Sequence, residues 1–257
     1  MPQRFSISPS WISALSSEMF AIRRGGFVSS VPEAVVASLT VENYLKAIYQ
    51  ICLSAPGKPA ATGELANALR VSPGTVTSML KTLSETGLAS YTPYGGVQLT
   101  PAGNALALRV LRRHRLIELF LVKTLNLSWD EVHDEAEHME HAVSDLLIDR
   151  IDSFLGHPKV DPHGDPIPQA DGSLDVQLSR TLAACVPGEE FQLVRVLDQS
   201  PEFLRFLTES SLSLGAQGRV MSNRPEAGVI TIAVGERQLT LGCPAAAKIL
   251  VAATSGG

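Results

Sequence analysis

Residues 156–173, GHPKVDPHGDPIPQADGS, hold four prolines and three glycines in 18 positions. Proline fixes φ and lacks an amide donor, so this stretch can be neither a helix nor a central strand. It reads as a linker or as an extended strap laid on folded structure. Residues N-terminal to it run mainly in helical period, and residues C-terminal to it run in short β-type segments. The chain is therefore predicted to be α+β, with its helices and most of its strands on opposite sides of the strap. At 257 residues, 45% of them hydrophobic, it can bury more than one core.

Before the strap, TVENYLKAIYQICL places Tyr44, Leu45, Ile48, Ile51 and Cys52 at helical spacing, with Thr40 as a predicted N-cap and Asn43 in the first turn. SAPGKPAA then breaks the helix. Two short helices come next, in TGELANALR and VSPGTVTSMLKTLSETG. Ser72 can cap the second, Pro73 suits its first turn and Gly87 ends it. LASYTPYGGVQLTPAG reads as a hairpin around a Gly-Gly turn. Two short helices and a hairpin over residues 38–100 describe a winged helix–turn–helix.

In that motif the N-terminal residues of the second helix face DNA bases. Here they are Ser72, Gly74, Thr75, Thr77 and Ser78, with Lys81 one turn on. Small hydroxyls allow close approach and hydrogen-bond base edges or phosphates, while Lys81, Lys58 and Arg70 can neutralise phosphates. A helical hairpin that merely packs is the plain alternative. Charge leans toward DNA only here. Residues 1–100 hold 7 basic and 5 acidic side chains, and every later segment is net acidic.

Leu106 to Asn126 is predicted helical, and WDEVHDEAEHMEHAVSDLLIDRID opens what reads as one further helix from Trp129 to Leu155. All six histidines of the chain fall between His114 and His163. On a helix of 100° per residue, His133, Glu137, Glu140 and His141 share an arc of about 100°. Val132, Ala136, Met139, Val143, Leu146 and Leu147 form a separate packing face, and His138 points to solvent. A carboxylate and an imidazole one turn apart can chelate a divalent cation. His114 and Glu118 form a second such pair upstream. The bland alternative is a solvated acidic face with incidental histidines. A zinc hydrolase would need His-Glu-x-x-His, which is absent from this segment, and no nucleophile beside a base or glycine-rich phosphate loop is visible.

Beyond the strap, EFQLVRVLD, GAQGRVMSN, GVITIAVG and RQLTLG are short strand-like runs around a helix, PEFLRFLTESS, and suggest a small barrel over residues 176–254. Cys52, Cys185 and Cys243 are odd in number and far apart, which fits a reducing cytoplasm. No apolar run approaches the roughly 18 residues of a membrane span. Residues 1–37 are serine-rich and poor in acids, faintly like a transit peptide but without the apolar core of a secretory signal. They read as a flexible extension.

Several of these stretches together resemble the diphtheria toxin repressor family of metal-dependent transcriptional regulators. They are ENYLKAIY in the first helix, LTPAG after the wing, RRHRLIELFL, VHDEAE and EH in the acidic helix, and PHGDPIP in the strap. The final segment is similar to the SH3-like, FeoA-like barrel of the longer members, so the resemblance covers most of residues 39–252.

The resemblance implies a role for each matching position. His114, Glu118 and His133 correspond to an ancillary metal site. Glu137, Glu140 and His141 correspond to the primary site, which the first helix completes from the position of Asn43. Position 137 is commonly Cys in iron-sensing members and Glu in manganese-sensing ones. The latter usually place Asp where this chain has Asn43, and some place Glu where it has Lys46. Glu202 is the nearest candidate for a ligand from the barrel. The expected protein is a cytoplasmic homodimer that binds a palindromic double-stranded operator, with Mn(II) favoured over Fe(II) as corepressor. Its expected division is an extension over 1–37, the DNA-binding domain over 38–100, a helical dimerisation and metal-binding domain over 101–156, a linker over 157–175 and the barrel over 176–254. A metal-independent winged-helix regulator and a metal-binding enzyme are the alternatives.

Overall fold

The computed structural model describes residues 33–253, with side chains from residue 39 onward. The expected extension therefore lies almost wholly outside the described residues. Helix α1 (Glu33–Ser54) begins well before Thr40, so Thr40 sits inside the helix and does not cap it. The Glu- and Ala-containing run ahead of it has enough helix propensity to carry the helix back.

Helices α2 (Thr62–Leu69) and α3 (Pro73–Glu85) are joined through Arg70, which takes a left-handed conformation at the end of α2. Ser72 caps α3 as expected, its Oγ accepting from Thr75 N, and Pro73 occupies the first turn. Strands β1 (Ala89–Thr92) and β2 (Gly96–Leu99) pair antiparallel from Ala89↔Leu99 to Thr92↔Gly96, forming the wing. Tyr44, Leu45 and Ile48 of α1 pack with Leu65, Val76, Leu80, Leu83 and Val97 in one core. This core makes α1 and α3 a single body.

Helix α4 (Pro101–Leu125) starts on a Thr100 cap. Its first turn lies so close to the preceding loop that a Cβ on Gly103 would fall 1.9 Å from the Leu88 carbonyl oxygen. Only glycine permits that approach. The expected single helix from Trp129 to Leu155 is instead two, α5 (Val132–Met139) and α6 (Asp145–Phe154). Ser144 stops the first by starting the second, accepting from Leu147 N. Two consequences correct the expected faces. His141 lies in the turn between the helices, and Leu146 and Leu147 are exposed. Val132, Ala136 and Ile148 pack with Leu116 and Ile117 of α4 in a second core.

The strap closes over α4. Arg112 donates to Pro168 O and pairs with Asp152, while Arg115 donates to Pro166 O and pairs with Asp165. Arg195 also pairs with Asp165, and Val196 N donates to His163 O. A Cβ on Gly164 (φ +86°) would lie 2.1 Å from Val194 O. The strap is thus a packed seam between α4 and the C-terminal sheet, not a free tether.

That sheet has six antiparallel strands in the order β3-β8-β4-β5-β6-β7. They are β3 (Arg180–Thr181), β4 (Glu190–Val196), β5 (Gln217–Arg224), β6 (Val229–Val234), β7 (Arg237–Gly242) and β8 (Ile249–Ala253). Helix α7 (Pro201–Glu209) comes after β4, and the short α8 (Cys243–Ala246) after β7. Phe191, Leu193, Val220, Ile230, Ile232, Leu241 and Val251 meet Leu204 and Leu207 of α7 in a third core. Breaks in register at Leu193/Arg195 and Val220/Ser222 sharpen the twist. β3 and β7 remain edges, so hydrogen bonding does not close the expected barrel among the described residues. The three cysteines are free, and no described helix is long and apolar enough to cross a membrane.

Candidate metal centre and nucleic-acid interface

Ser72, Gly74, Thr75, Ser78 and Lys81 are exposed on the outer face of α3, with Thr77 half-buried. The hydroxyls bond locally. Thr75 Oγ1 lies 2.8 Å from Ser72 Oγ, Thr77 Oγ1 donates to Pro73 O, and Ser78 Oγ donates to Gly74 O. Their methyl and hydroxyl surfaces are thereby presented in fixed rotamers. A cleft between α3 and the wing is lined by Thr77, Lys81, Tyr91, Tyr94 and Gly95. Tyr94, at the wing tip with φ +61°, is fully exposed, and sequence reading did not single it out. Lys58 and Arg70 are exposed beside this region.

The histidine-rich segment folds against α4. His114 Nε2 lies 3.0 Å from Glu118 Oε1 and 3.2 Å from His133 Nδ1, which is itself 3.3 Å from Glu118 Oε1. One ligand atom from each lies within 4.8 Å of the others. These are the three residues expected in the ancillary group, brought together by docking of α5 on α4.

The expected primary group is adjacent but less convergent. Glu140 is fully buried at the end of α5, with Oε2 2.7 Å from His114 Nδ1. His141 Nε2 lies 3.3 Å from Glu140 Oε1 and 2.8 Å from Asn43 Oδ1. Its other nitrogen lies 2.8 Å from Glu42 Oε2, a contact the sequence did not suggest. Glu137 is half-exposed, and its Oε1 accepts from Lys46 Nζ at 3.3 Å. Glu137, Glu140 and His141 do not reach the mutual spacing of the ancillary set among the described residues. His138 is exposed, as expected, and Glu202 belongs to neither tight cluster.

A second tight cluster is one that sequence reading missed. Glu118, Asp161 and His163 are all buried and offer ligand atoms within 4.8 Å of one another. His163 Nε2 donates to Trp129 O at 2.7 Å, which leaves Nδ1 to face the acidic side chains. That Nδ1 is buried without a hydrogen-bond partner and faces Glu118 Oε2 and Asp161 Oδ1 at 3.9 and 4.0 Å. A ring nitrogen buried without a partner between two acidic side chains is in a position to serve a divalent cation as a ligand. The signal lay in PHGDPIP, where a histidine sits in a segment rigid enough to be fixed against α4.

The electrostatics are those of crowded acids neutralised by imidazoles. Burial alone would lower the His114 pKa from 6.5, but the Glu118 charge and hydrogen bonds to Glu118 and Glu140 push it up to about 9. Burial opposes ionisation of Glu118, yet His114 and His133 hold its carboxyl well below the usual range. Glu140 is likewise held low against burial, by the His114 hydrogen bond and the Lys46 charge. Burial, together with the charges of Asp165 and Glu118, pushes Asp161 well up.

Comparison with known proteins divides the chain into the same three parts. Residues 38–97 match the iron dependent repressor N-terminal DNA binding domain, residues 100–169 the iron dependent repressor metal binding and dimerisation domain, and residues 180–253 the FeoA domain. The diphtheria toxin repressor of Corynebacterium glutamicum is 30% identical over 199 residues, covering 72% of this chain and 85% of its own. A manganese-dependent transcriptional repressor solved in complex with manganese is 41% identical, with a TM-score of 0.76, covering 83% of this chain and all of its own. The manganese regulator SloR is 35% identical, with a TM-score of 0.67, covering 83% of this chain and 98% of its own.

Proposed function

The chain belongs to the diphtheria toxin repressor family of metal-dependent transcriptional regulators, and from that premise we propose that it is a metal-activated DNA-binding repressor controlling metal-ion homeostasis. It is a regulator and not an enzyme, as the repressors it resembles are. One observation carries the reading. The buried His114 turns one ring nitrogen to Glu118 and the other to Glu140, and Glu140 in turn accepts from Lys46 of α1, a helix that belongs to the DNA-binding core.

We assign His114, Glu118 and His133 to the ancillary site, with Asp161 and His163 as a neighbouring pair sharing Glu118. Glu137, Glu140, His141 and Asn43 form the primary site. When bound, a divalent ion would add positive charge among carboxylates that Lys46 and His114 already hold. The chain does the rest. Asn43 and Glu42 of α1 both meet His141, and α1 shares its core with α3. Fixing His141 and Glu140 therefore fixes the recognition helix, whose Ser72, Gly74, Thr75, Thr77, Ser78 and Lys81 contact DNA. Linkage makes the effect reciprocal, so DNA raises metal affinity by the factor that metal raises DNA affinity.

The working unit is a cytoplasmic homodimer on a palindromic operator, with half-sites about 34 Å or a multiple of it apart. Residues 38–100 bind DNA, 101–156 dimerise and bind metal, 157–175 are the strap, and 176–254 form a small SH3-like domain whose six-stranded sheet stays open between β3 and β7. Oxygen and nitrogen donors without a thiolate favour Mn(II) or Fe(II) over softer ions, and Glu137, where iron-sensing relatives commonly carry Cys, inclines the choice to Mn(II) as the physiological ion. Titrations of the full chain on genomic fragments test this, with Mn(II), Fe(II) or chelator present. Specific binding that requires metal is expected. Specific binding untouched by chelator would make the chain a metal-independent regulator, and no specific binding would remove the regulator reading.

A further inference from the structure

The primary group already holds a cation that belongs to the chain itself. Lys46 Nζ donates to Glu140 Oε1 at 2.7 Å and to Glu137 Oε1 at 3.3 Å, and the residue is only 7% exposed. Lysine is seldom buried unless paired, and a charge-assisted bond this short is among the stronger ones. Lys46 lies one turn beyond Asn43 on α1 and reaches both Glu140, whose other oxygen meets His114, and Glu137, which His133 approaches at 3.7 Å.

We propose that Lys46 is a tethered counter-ion of the primary site, holding Glu137, Glu140 and α1 together until it yields its place to a divalent cation, and so setting the metal affinity of that site. The inference rests on the assignment of Glu137 and Glu140 to a metal site. Lysine suits the part because it is a point charge on a flexible four-carbon stem and can swing away without rearranging the backbone. Glu137 is half-exposed, so the pair borders solvent on that side and the ammonium has somewhere to go. An internal competitor weakens apparent metal affinity by the free energy of the ion pair that must be surrendered.

Two effects then run in opposite directions when the ammonium is removed. The metal-free protein loses one of the cationic partners of buried Glu140 and becomes less stable. The metal site loses its competitor and binds more tightly. A lysine that merely fastened α1 to α5 would behave otherwise, because its loss would loosen α1, withdraw Asn43 and weaken both properties.

The test uses the full chain stripped with chelator, as wild type, Lys46→Met and Lys46→Arg, with Glu140→Gln added to each to mark the primary site. Equilibrium dialysis against Mn(II) and the thermal midpoint of the metal-free protein are measured. Lys46→Met is expected to tighten the Glu140-dependent binding at least about tenfold while lowering the metal-free midpoint. Lys46→Arg, which keeps the charge, is expected to stay within about threefold of wild type. Unchanged or weaker binding in Lys46→Met, beside normal Glu140-dependent binding in wild type, overturns the counter-ion role alone. Absence of Glu140-dependent binding in both proteins overturns the site assignment and this inference together.

Discussion

Glu118 Oε2 and His163 Nδ1 face each other across 3.9 Å, both side chains buried, although 45 positions separate them in the chain. His163 has committed its other nitrogen to the Trp129 carbonyl, so Nδ1 is held in place and aimed at the carboxylate. Glu118 thereby stands between His114 and His133 on one side and Asp161 and His163 on the other.

From this geometry, Asp161→Asn and His163→Ala should each lower the amount of Mn(II) that the full chain retains at equilibrium. The His114 cluster should keep its own ion. Circular dichroism serves as the control for folding, since His163 also anchors the strap. Metal retention equal to wild type in both variants would reduce the pair to a structural contact.

Stability of the metal-free protein should depend on pH in a stated direction. The His114 pKa is raised from 6.5 to about 9, so its contribution is fully present below the lower value and lost as pH rises through the upper one. Glu118 and Glu140 are depressed, so their contributions are present above the ordinary value of 4.5 and lost as pH falls toward their folded values. The thermal midpoint in chelator should therefore be highest between about 4.5 and 6.5 and decline toward pH 9. His114→Gln should flatten the alkaline limb; an unaltered slope would mean that another group titrates there.

On the DNA face, Thr75→Ala and Thr77→Ala should relax base preference, each by about 1–3 kcal/mol where it meets a base edge. Lys81→Ala should weaken all sequences alike and reduce the salt dependence by about one phosphate contact. Competition binding against operator and random duplexes at several salt concentrations separates the two. If neither class of variant changes affinity, α3 is not the reading helix.

Leu146, Leu147 and Phe154 leave a large apolar surface on α6, at 68%, 46% and 70% exposure. Apolar groups this exposed on one helix mark an interface, and each large side chain covered is worth about 1.5–3 kcal/mol. The chelated protein should sediment as a dimer at micromolar concentration, and Leu146→Glu should shift it toward monomer. A wild-type monomer in chelator that dimerises with Mn(II) would instead make assembly metal-driven.

Much of the architecture was legible because it is local. Helical spacing and the Ser72–Pro73 cap marked α3, the Gly-Gly turn marked the wing, and short strand-like runs marked β4 to β7. The i, i+4 pair His114–Glu118 sits on one face of a helix by periodicity alone, and a resemblance in short motifs assigned its partners. The division of residues 129–155 into two helices was less legible. Ser144 competes with the backbone of a helix that composition alone would extend. What only the tertiary structure decided is how distant segments meet. Lys46 enters a carboxylate pair 91 and 94 positions away, and His163 turns its Nδ1 on Glu118. Both depend on how α1, the strap and α4 pack, and no spacing along the chain records that. Sequence periodicity determines which side chains share a face, whereas burial decides which faces meet and which charges must therefore be paired.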